Sequence, residues 1–282
     1  MQTAIVLGTF DGLHSGHRAV IEKANGYNTV AVTFAVPPKA ALGKDVKLLM
    51  TPEDKKAGLK ALGVSRIYDL NFSDVADTSP DDFLLWLKSE FSPALIACGY
   101  NYRFGKNAAG GTDTIAAFCE QNGIEFRCAE RVGNGEEVSS SALRSLIENG
   151  EVLSANRQIY GGFGFTSPVL HGDSRGKALG FPTANQMFPD NLVCPKFGVY
   201  SSSITVAGKE YPAITDVGIR PTYKTDFIGC ETFIKDMKDD LYGQNATLKF
   251  IRFIRAEQKF SSDEELKAAV ADDIRSVLGV II

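Results

Sequence analysis

Residues Thr3 to Ala24 read TAIVLGTFDGLHSGHRAVIEKA, and the order of patterns inside this stretch sets the architecture of the first half of the chain. TAIVLG (Thr3 to Gly8) has the unbroken apolar character of a buried strand, and HRAVIEKA (His17 to Ala24) carries apolar residues at helical spacing. Between them GTFDGLHSGH (Gly8 to His17) converts strand into helix start. The free backbone N–H groups and positive dipole end of such a junction favour anions. Gly8, Gly12 and Gly16 let the backbone approach a bound polyphosphate, and His14 and His17, three apart, share one face of the first turn. The chain has only 3 histidines, so two in one tetrapeptide weigh against a bland reading as solvated side chains in a Gly-rich turn.

Working outward, NTVAVTF (Asn28 to Phe34), RIYDLNF (Arg66 to Phe72), ALIACG (Ala94 to Gly99) and EFRCAERV (Glu125 to Val132) read as further buried strands. Helix starts separate them: Thr51-Pro52 followed by Glu53 and Asp54, with Gly63 as stop, and Ser79-Pro80 followed by Asp81 and Asp82. This alternation predicts an α/β, doubly wound parallel sheet over residues 1–155, with ligands beyond the carboxyl ends of its strands, where Gly8 to His17 emerges. GYNYRFG (Gly99 to Gly105) brings Asn101 and Arg103 to the same edge. VSSSALRSLI (Val138 to Ile147) adds Ser140, Ser141 and Arg144, although alone it reads as readily as a serine-capped helix with a solvated arginine.

Past about Ala155 the pattern changes. QIYGGFGFTSPVL, GVYSSSITV, YPAITDVG, CETFIKDM and NATLKFIRFIRA follow one another without intervening helices, with turns such as Ala207-Gly208-Lys209. Residues 156–282 are therefore expected to form an antiparallel barrel or sandwich, closed by a helix that Ser262 and Glu265 cap and Gly279 stops. Within it HGDSRGKALGFPTAN (His171 to Asn185) lacks the glycine and Ser/Thr spacing of a P-loop. Its Thr183 and Asn185 project to one face of an extended segment stiffened by Pro182 and offer hard oxygen ligands for Mg²⁺ shared with ATP phosphates. Gly172, Gly176, Lys177 and Gly180 lie in the loop that would wrap those phosphates. A turn with local side-chain hydrogen bonds is the competing reading of PTAN.

Composition narrows the partners. With 44% hydrophobic and 23% charged residues and a net charge of −4, the chain is an ordinary globular protein without the basic field of a nucleic-acid binder. The first strand begins by Thr3, leaving no room for a signal peptide, and no apolar run approaches the ~20 residues of a bilayer span, so a cytoplasmic location is expected. Cys98, Cys119, Cys128, Cys194 and Cys230 form no CxxC pair and no zinc-like pattern with histidine, which predicts reduced thiols.

HxGH resembles the signature of adenylyl-transferring nucleotidyltransferases, and GTFDGLHSGH the FMN adenylyltransferase module of the bifunctional bacterial FAD synthetase family. GYNYRFG resembles a further string of that module, and VSSSALRSLI is close to its ISSTxIR. GFPTAN, GVY (Gly198 to Tyr200), DVGIRPT (Asp216 to Thr222) and CETFIKDMKDDLYG (Cys230 to Gly243) follow in the order found in riboflavin kinases, whose fold is a small six-stranded barrel. The resemblance implies riboflavin, FMN and ATP as small-molecule substrates, FAD as product and Mg²⁺ as cofactor, in a monomer or weak homo-oligomer. It implies ATP binding at Gly8, Phe10, Asp11, Gly12, His14, His17, Asn101, Arg103, Ser140, Ser141 and Arg144. Of these, His14 and His17 would also stabilise charge moving to pyrophosphate. In the second half it makes Glu231 the general base and places Asp216 and Arg220 at the ATP and flavin site.

Three positions depart from the family pattern. TFAVPP (Thr33 to Pro38) has Pro37 where TFxPHP has histidine, Asp216 replaces an asparagine, and Phe233 replaces a common histidine. Pro37 has no proton to give, and Asp216 adds a negative charge that Mg²⁺ or Arg220 would have to offset. An enzyme with one working domain, or a flavin-binding regulatory protein, are the alternative readings.

Overall fold

A computed structural model of the chain describes residues 1–43, 45–132, 139–172, 176, 179–220, 227–235, 237 and 239–279. The chain folds into two compact units. The first contains Met1–Leu48, Pro52–Ala142 and Gln158–Tyr160, and the second Leu49–Thr51, Leu143–Arg157 and Gly161–Ile282.

In the first unit β1 (Thr3–Leu7), β2 (Asn28–Phe34), β3 (Arg66–Leu70), β4 (Leu95–Gly99) and β5 (Glu125–Ala129) pair in parallel in the order β3-β2-β1-β4-β5. Around them run α1 (Ser15–Glu22), α2 (Pro38–Ala41), α3 (Pro52–Ala61), α4 (Phe72–Val75), α5 (Pro80–Phe91) and α6 (Thr112–Asn122). The apolar strand faces explain the core. Ile5, Leu7, Val30, Val32, Ile96 and Cys98 meet Phe83, Leu84, Leu87 and Phe91 of α5 and Ile115 of α6, and each such burial contributes ~1.5–3 kcal/mol for the large aliphatic and aromatic side chains. Trp86 joins an aromatic cluster, its ring centre 5.6 Å from Tyr68 and 5.7 Å from Phe83 and Phe91. The predicted start of α5 is present: Ser79 Oγ accepts from Asp82 N, with Pro80 in the first turn. The strand order reverses between β1 and β4, and that switch point is where a doubly wound sheet opens a crevice.

In the second unit β6 (Gly164–Pro168), β7 (Thr183–Met187), β8 (Gly198–Val206), β9 (Lys209–Arg220), β10 (Phe227–Ile234) and β11 (Asn245–Arg255) form one antiparallel sheet in the order β6-β11-β8-β9-β10-β7. A bridge from Leu170 to Asn185 brings the chain after β6 to β7, so the sheet curls towards a barrel. The β8–β9 hairpin turns at Ala207 and Gly208, with φ of 49° and 79°, the geometry that matches strand twist. Inside the sheet a chain of hydroxyls crosses three strands: Ser202 Oγ lies 2.8 Å from Thr215 Oγ1, which lies 2.9 Å from Thr232 Oγ1.

Helix α7 (Ser140–Glu148) leads to α8 (Val152–Asn156), which packs on β11. Asn156 Nδ2 donates to Phe250 O at 2.6 Å and its Oδ1 accepts from Phe163 N at 2.7 Å. The final helix, α9 (Asp263–Leu278), shows half of the expected capping box: Ser262 Oγ accepts from Glu265 N at 3.2 Å, but the Glu265 carboxylate accepts from Ser261 N rather than from Ser262 N. The helix ends at Gly279 with φ of 64°. All five cysteines are free. Burial pushes the Cys98 thiol up to about 12 and that of Cys119 up to about 11. Among the described residues no helix is long and apolar enough to cross a membrane.

Candidate functional site

In the first unit the loop after β1 is held from below and from both sides. Phe10 and Leu13 are fully buried and adopt positive φ (52° and 41°), with Gly12 at 85° between them. Gly58 of α3 leaves the space that Leu13 fills, since a Cβ there would overlap Leu13 Cδ1, and a Cβ at Gly8 would sit 3.1 Å from the Phe10 ring. Thr33 Oγ1 donates to Thr9 O at 3.0 Å and Ser140 Oγ donates to Asp11 O at 3.1 Å. Ser140 thus ties the serine-rich string to the loop, while Ser139 caps the helix by accepting from Ala142 N. Ser141 is exposed; Arg144 is half-buried and belongs to the second unit.

His14 is the N-cap residue of α1 and stacks on His17, ring centres 3.8 Å apart and planes at 24°, with Phe10 5.3 Å from His17. Gly16 leaves room for the His14 ring. Both Nδ1 atoms are buried without a hydrogen-bond partner. Burial lowers His14 to about 4, and burial, then His14, then Lys55 lower His17 well below its usual range. Two neutral, unsatisfied imidazoles therefore face the start of a helix, an arrangement suited to an incoming anion.

At the neighbouring strand end Asn101 Oδ1 lies against Gly99, where a Cβ would be 3.6 Å away. Arg103 lies over Gly111, the N-cap residue of α6, beside the bridge between Phe104 and Gly110. Pro37 precedes α2. Lys55 escaped the sequence reading because EDKK looks like a solvated helix face, yet it is only 6% exposed and its Nζ donates to Phe34 O at 2.6 Å.

In the second unit strand register builds the site. Glu231 on β10 pairs with Asn185 on β7 and with Asp216 on β9, giving a row of three across adjacent strands. The alternation along β10 buries Cys230 and Thr232 and leaves Glu231 on the other face. Thr183 shares the face of Asn185, opposite Phe233. The glycine loop closes on this face: a Cβ at Gly172 would overlap the Asn185 amide, and one at Gly176 would approach Thr183 Oγ1 to 3.3 Å. Gly180 has φ of 92°, and Lys177 lies outside the described residues.

Arg220 organises the acids. Its Nη2 is 2.8 Å from Asp216 Oδ2, its Nε 3.0 Å from Glu231 Oε1 at ion-pair distance but without hydrogen-bond alignment, and its Nη1 3.6 Å from Glu257 Oε1. Its stem crosses Gly229 and the Glu257 carboxylate covers Gly218, two glycines paired across β9 and β10. Burial disfavours the Arg220 charge, but Asp216 and Glu231 outweigh it and the pKa moves up. Burial, then Asp216, raises Glu257. The charge that Asp216 adds is therefore met by Arg220. Glu257 sits past the end of β11 with no local pattern, and only the fold brings it here. His171, the remaining histidine, stacks on Tyr242 at 3.7 Å.

A parallel sheet with an imidazole pair at its switch point, followed by a curled antiparallel sheet with a carboxylate row, defines a nucleotidyltransferase-like unit joined to a flavokinase-like one. Residues 1–142 match the FAD synthetase family and residues 162–281 the riboflavin kinase family. The bifunctional riboflavin kinase/FMN adenylyltransferase of Listeria monocytogenes is 32% identical over 95% of this chain and 89% of its own. That of Bacillus subtilis is 29% identical over 96% and 90%, and that of Escherichia coli K12 28% over 95% and 90%. A crystal structure described as a macrolide-efflux protein from Streptococcus pneumoniae superposes with a TM-score of 0.90 at 27% identity, covering 99% of this chain and 94% of that one. The chain belongs to the bifunctional riboflavin kinase/FMN adenylyltransferase family.

Proposed function

We propose that this bifunctional enzyme divides its work at about residues 155/156: the second half transfers the ATP γ-phosphate to riboflavin, giving FMN and ADP. The first half then transfers AMP from a second ATP to FMN, giving FAD and pyrophosphate. Both steps are in-line displacements at phosphorus, in which positioning and charge neutralisation do most of the work. In the kinase half Glu231 takes the proton of the ribityl 5′-hydroxyl, Arg220 orients its carboxylate, and Gly172, Gly176 and Gly180 shape the phosphate loop. Thr183 and Asn185 fit Mg²⁺ through a hydroxyl and an amide oxygen. Among the described residues no cluster of histidine, cysteine and carboxylate could hold a metal alone, so ATP phosphates supply further oxygens. Bound there, Mg²⁺ would neutralise phosphate charge.

In the adenylylating half the helix start and loop amides (Gly8, Phe10, Asp11, Gly12) receive phosphate oxygens, and His14 and His17 donate to charge developing on pyrophosphate. Asn101, Arg103, Ser140, Ser141 and Arg144 hold the rest of ATP. The observation that carries this reading is the stacked, buried pair of imidazoles with vacant Nδ1 atoms at the start of α1. The substrates are small molecules, with neither nucleic acid nor membrane as partner, acting on a cytoplasmic monomer or weak homo-oligomer.

The test is incubation with riboflavin, ATP and Mg²⁺, resolving riboflavin, FMN and FAD by chromatography. His17→Ala should lower FAD formation by ~10²–10³ and spare FMN formation. Glu231→Gln should lower FMN formation by ~10²–10⁴ while supplied FMN still becomes FAD. Equal loss of both activities in either variant refutes the division.

A further inference from the structure

Lys55 is a charged side chain in a place where packing alone favours an apolar one. It lies on α3, is only 6% exposed, and spends one of its three N–H donors on Phe34 O at 2.6 Å. Phe34 is the last residue of β2, so the ammonium sits at the carboxyl end of the parallel sheet, the edge where such sheets bind ligands. Burying an ammonium costs several kcal/mol unless partners offset it. The groups that act on it are Asp69, Asp11 and Lys56, and Lys55 in turn acts on His17. Asp69 commits Oδ2 to Lys56 at 2.8 Å and leaves Oδ1 buried without a partner. Asp11 and His17 belong to the Gly8 to His17 loop, so one buried cation is electrostatically coupled to two residues of that loop.

The chain after β2 heightens the point. Ala35, Val36, Pro37 and Pro38 carry no side-chain donor, so nothing in that segment can neutralise a phosphate. Lys55, anchored on the carbonyl at the end of the strand, holds its ammonium at the same edge with donors to spare.

We propose that Lys55 is the fixed cation of the adenylyl-transfer site, binding through its ammonium a phosphate oxygen of FMN or ATP. The inference rests on the first unit being the site of FAD formation. A preorganised ammonium there is worth more than one on a mobile surface side chain, because its placement is complete before substrate arrives.

Lys55→Met removes the ammonium with its charge and donors and leaves an unbranched apolar side chain one atom shorter. In the full chain it should lower FMN adenylylation, and the reverse formation of ATP from FAD and pyrophosphate, by ~10²–10³. Riboflavin phosphorylation in the same preparation should stay within about twofold, and Tm should hold or rise, since removing a buried charge is often neutral or stabilising. Lys55→Arg should recover part of the loss. A rise in KM for FMN alone assigns the ammonium to the FMN phosphate, and a rise for ATP alone to the ATP phosphates. FAD formation within threefold of the unmodified chain overturns the proposal, as does joint loss of both activities with a lowered Tm, which marks Lys55 as structural. If the unmodified chain makes no FAD, the reading of the first unit fails and this inference with it.

Discussion

His14 sets an acid limit on the first unit. Its pKa is lowered by burial to about 4 from the usual 6.5, so the folded state takes up a proton less readily than the unfolded one. Above pH 6.5 both states are neutral and the residue is without cost. As pH falls from 6.5 towards 4 the unfolded state protonates first and stability is lost, by about 2 kcal/mol at pH 5 from one shifted group. His17, lowered in the same direction, adds to it. Thermal denaturation of the ligand-free chain at pH 7.5 and 5.0 should therefore show a drop that His14→Asn reduces; an equal drop in the variant would remove His14 as the cause. A bound polyphosphate reverses the sign locally by favouring the imidazolium, so ATP should protect more at pH 6 than at pH 8. The histidines were legible because motif and site coincide within ten residues of sequence. Lys55 and Glu257 were not: a lysine in a charged helix and a glutamate after a strand carry no local mark of burial, and each meets its partners only through tertiary contact.

At the level of elements, β8, β9 and β10 share the hydroxyl chain from Ser202 through Thr215 to Thr232, and Thr215 and Thr232 are fully buried. Thr215→Val keeps the shape of the side chain and leaves both neighbours short of a partner, which should cost ~1–3 kcal/mol. Thr232→Val removes the terminal link and should cost less. Urea denaturation followed by far-UV circular dichroism measures both, and an equal cost would mean that the chain does not act through its central member. Strand identity was legible from apolar runs, but strand ends were not. RIYDLNF stops as a strand at Leu70 because the short helix α4 begins at Phe72, with Asn71 at its N-cap position and Asn71 Nδ2 donating to Asp74 Oδ2. YPAITDVG extends to twelve residues, Lys209 to Arg220, because both neighbouring strands continue its hydrogen-bond ladder.

For the whole molecule, the switch from alternating to consecutive strands was visible in the sequence, whereas the side on which α7 and α8 pack was not, since short amphipathic helices carry no address. Ile147, Val152 and Ala155 are fully buried in the second unit. A fragment beginning at Leu143 should therefore melt higher than one beginning at residue 156, which lacks these contacts, and both should convert riboflavin to FMN. Equal melting temperatures would show that α8 adds nothing to the barrel. The aromatic cluster around Trp86 has a separate use. Trp86 is the sole tryptophan of the chain, and its Tyr68, Phe83 and Phe91 neighbours all belong to the first unit. Excited at 295 nm, the protein emits from one unit only, and the barrel can unfold in the dark. A mismatch between emission and ellipticity during denaturation would then register a half-folded chain, with no label attached.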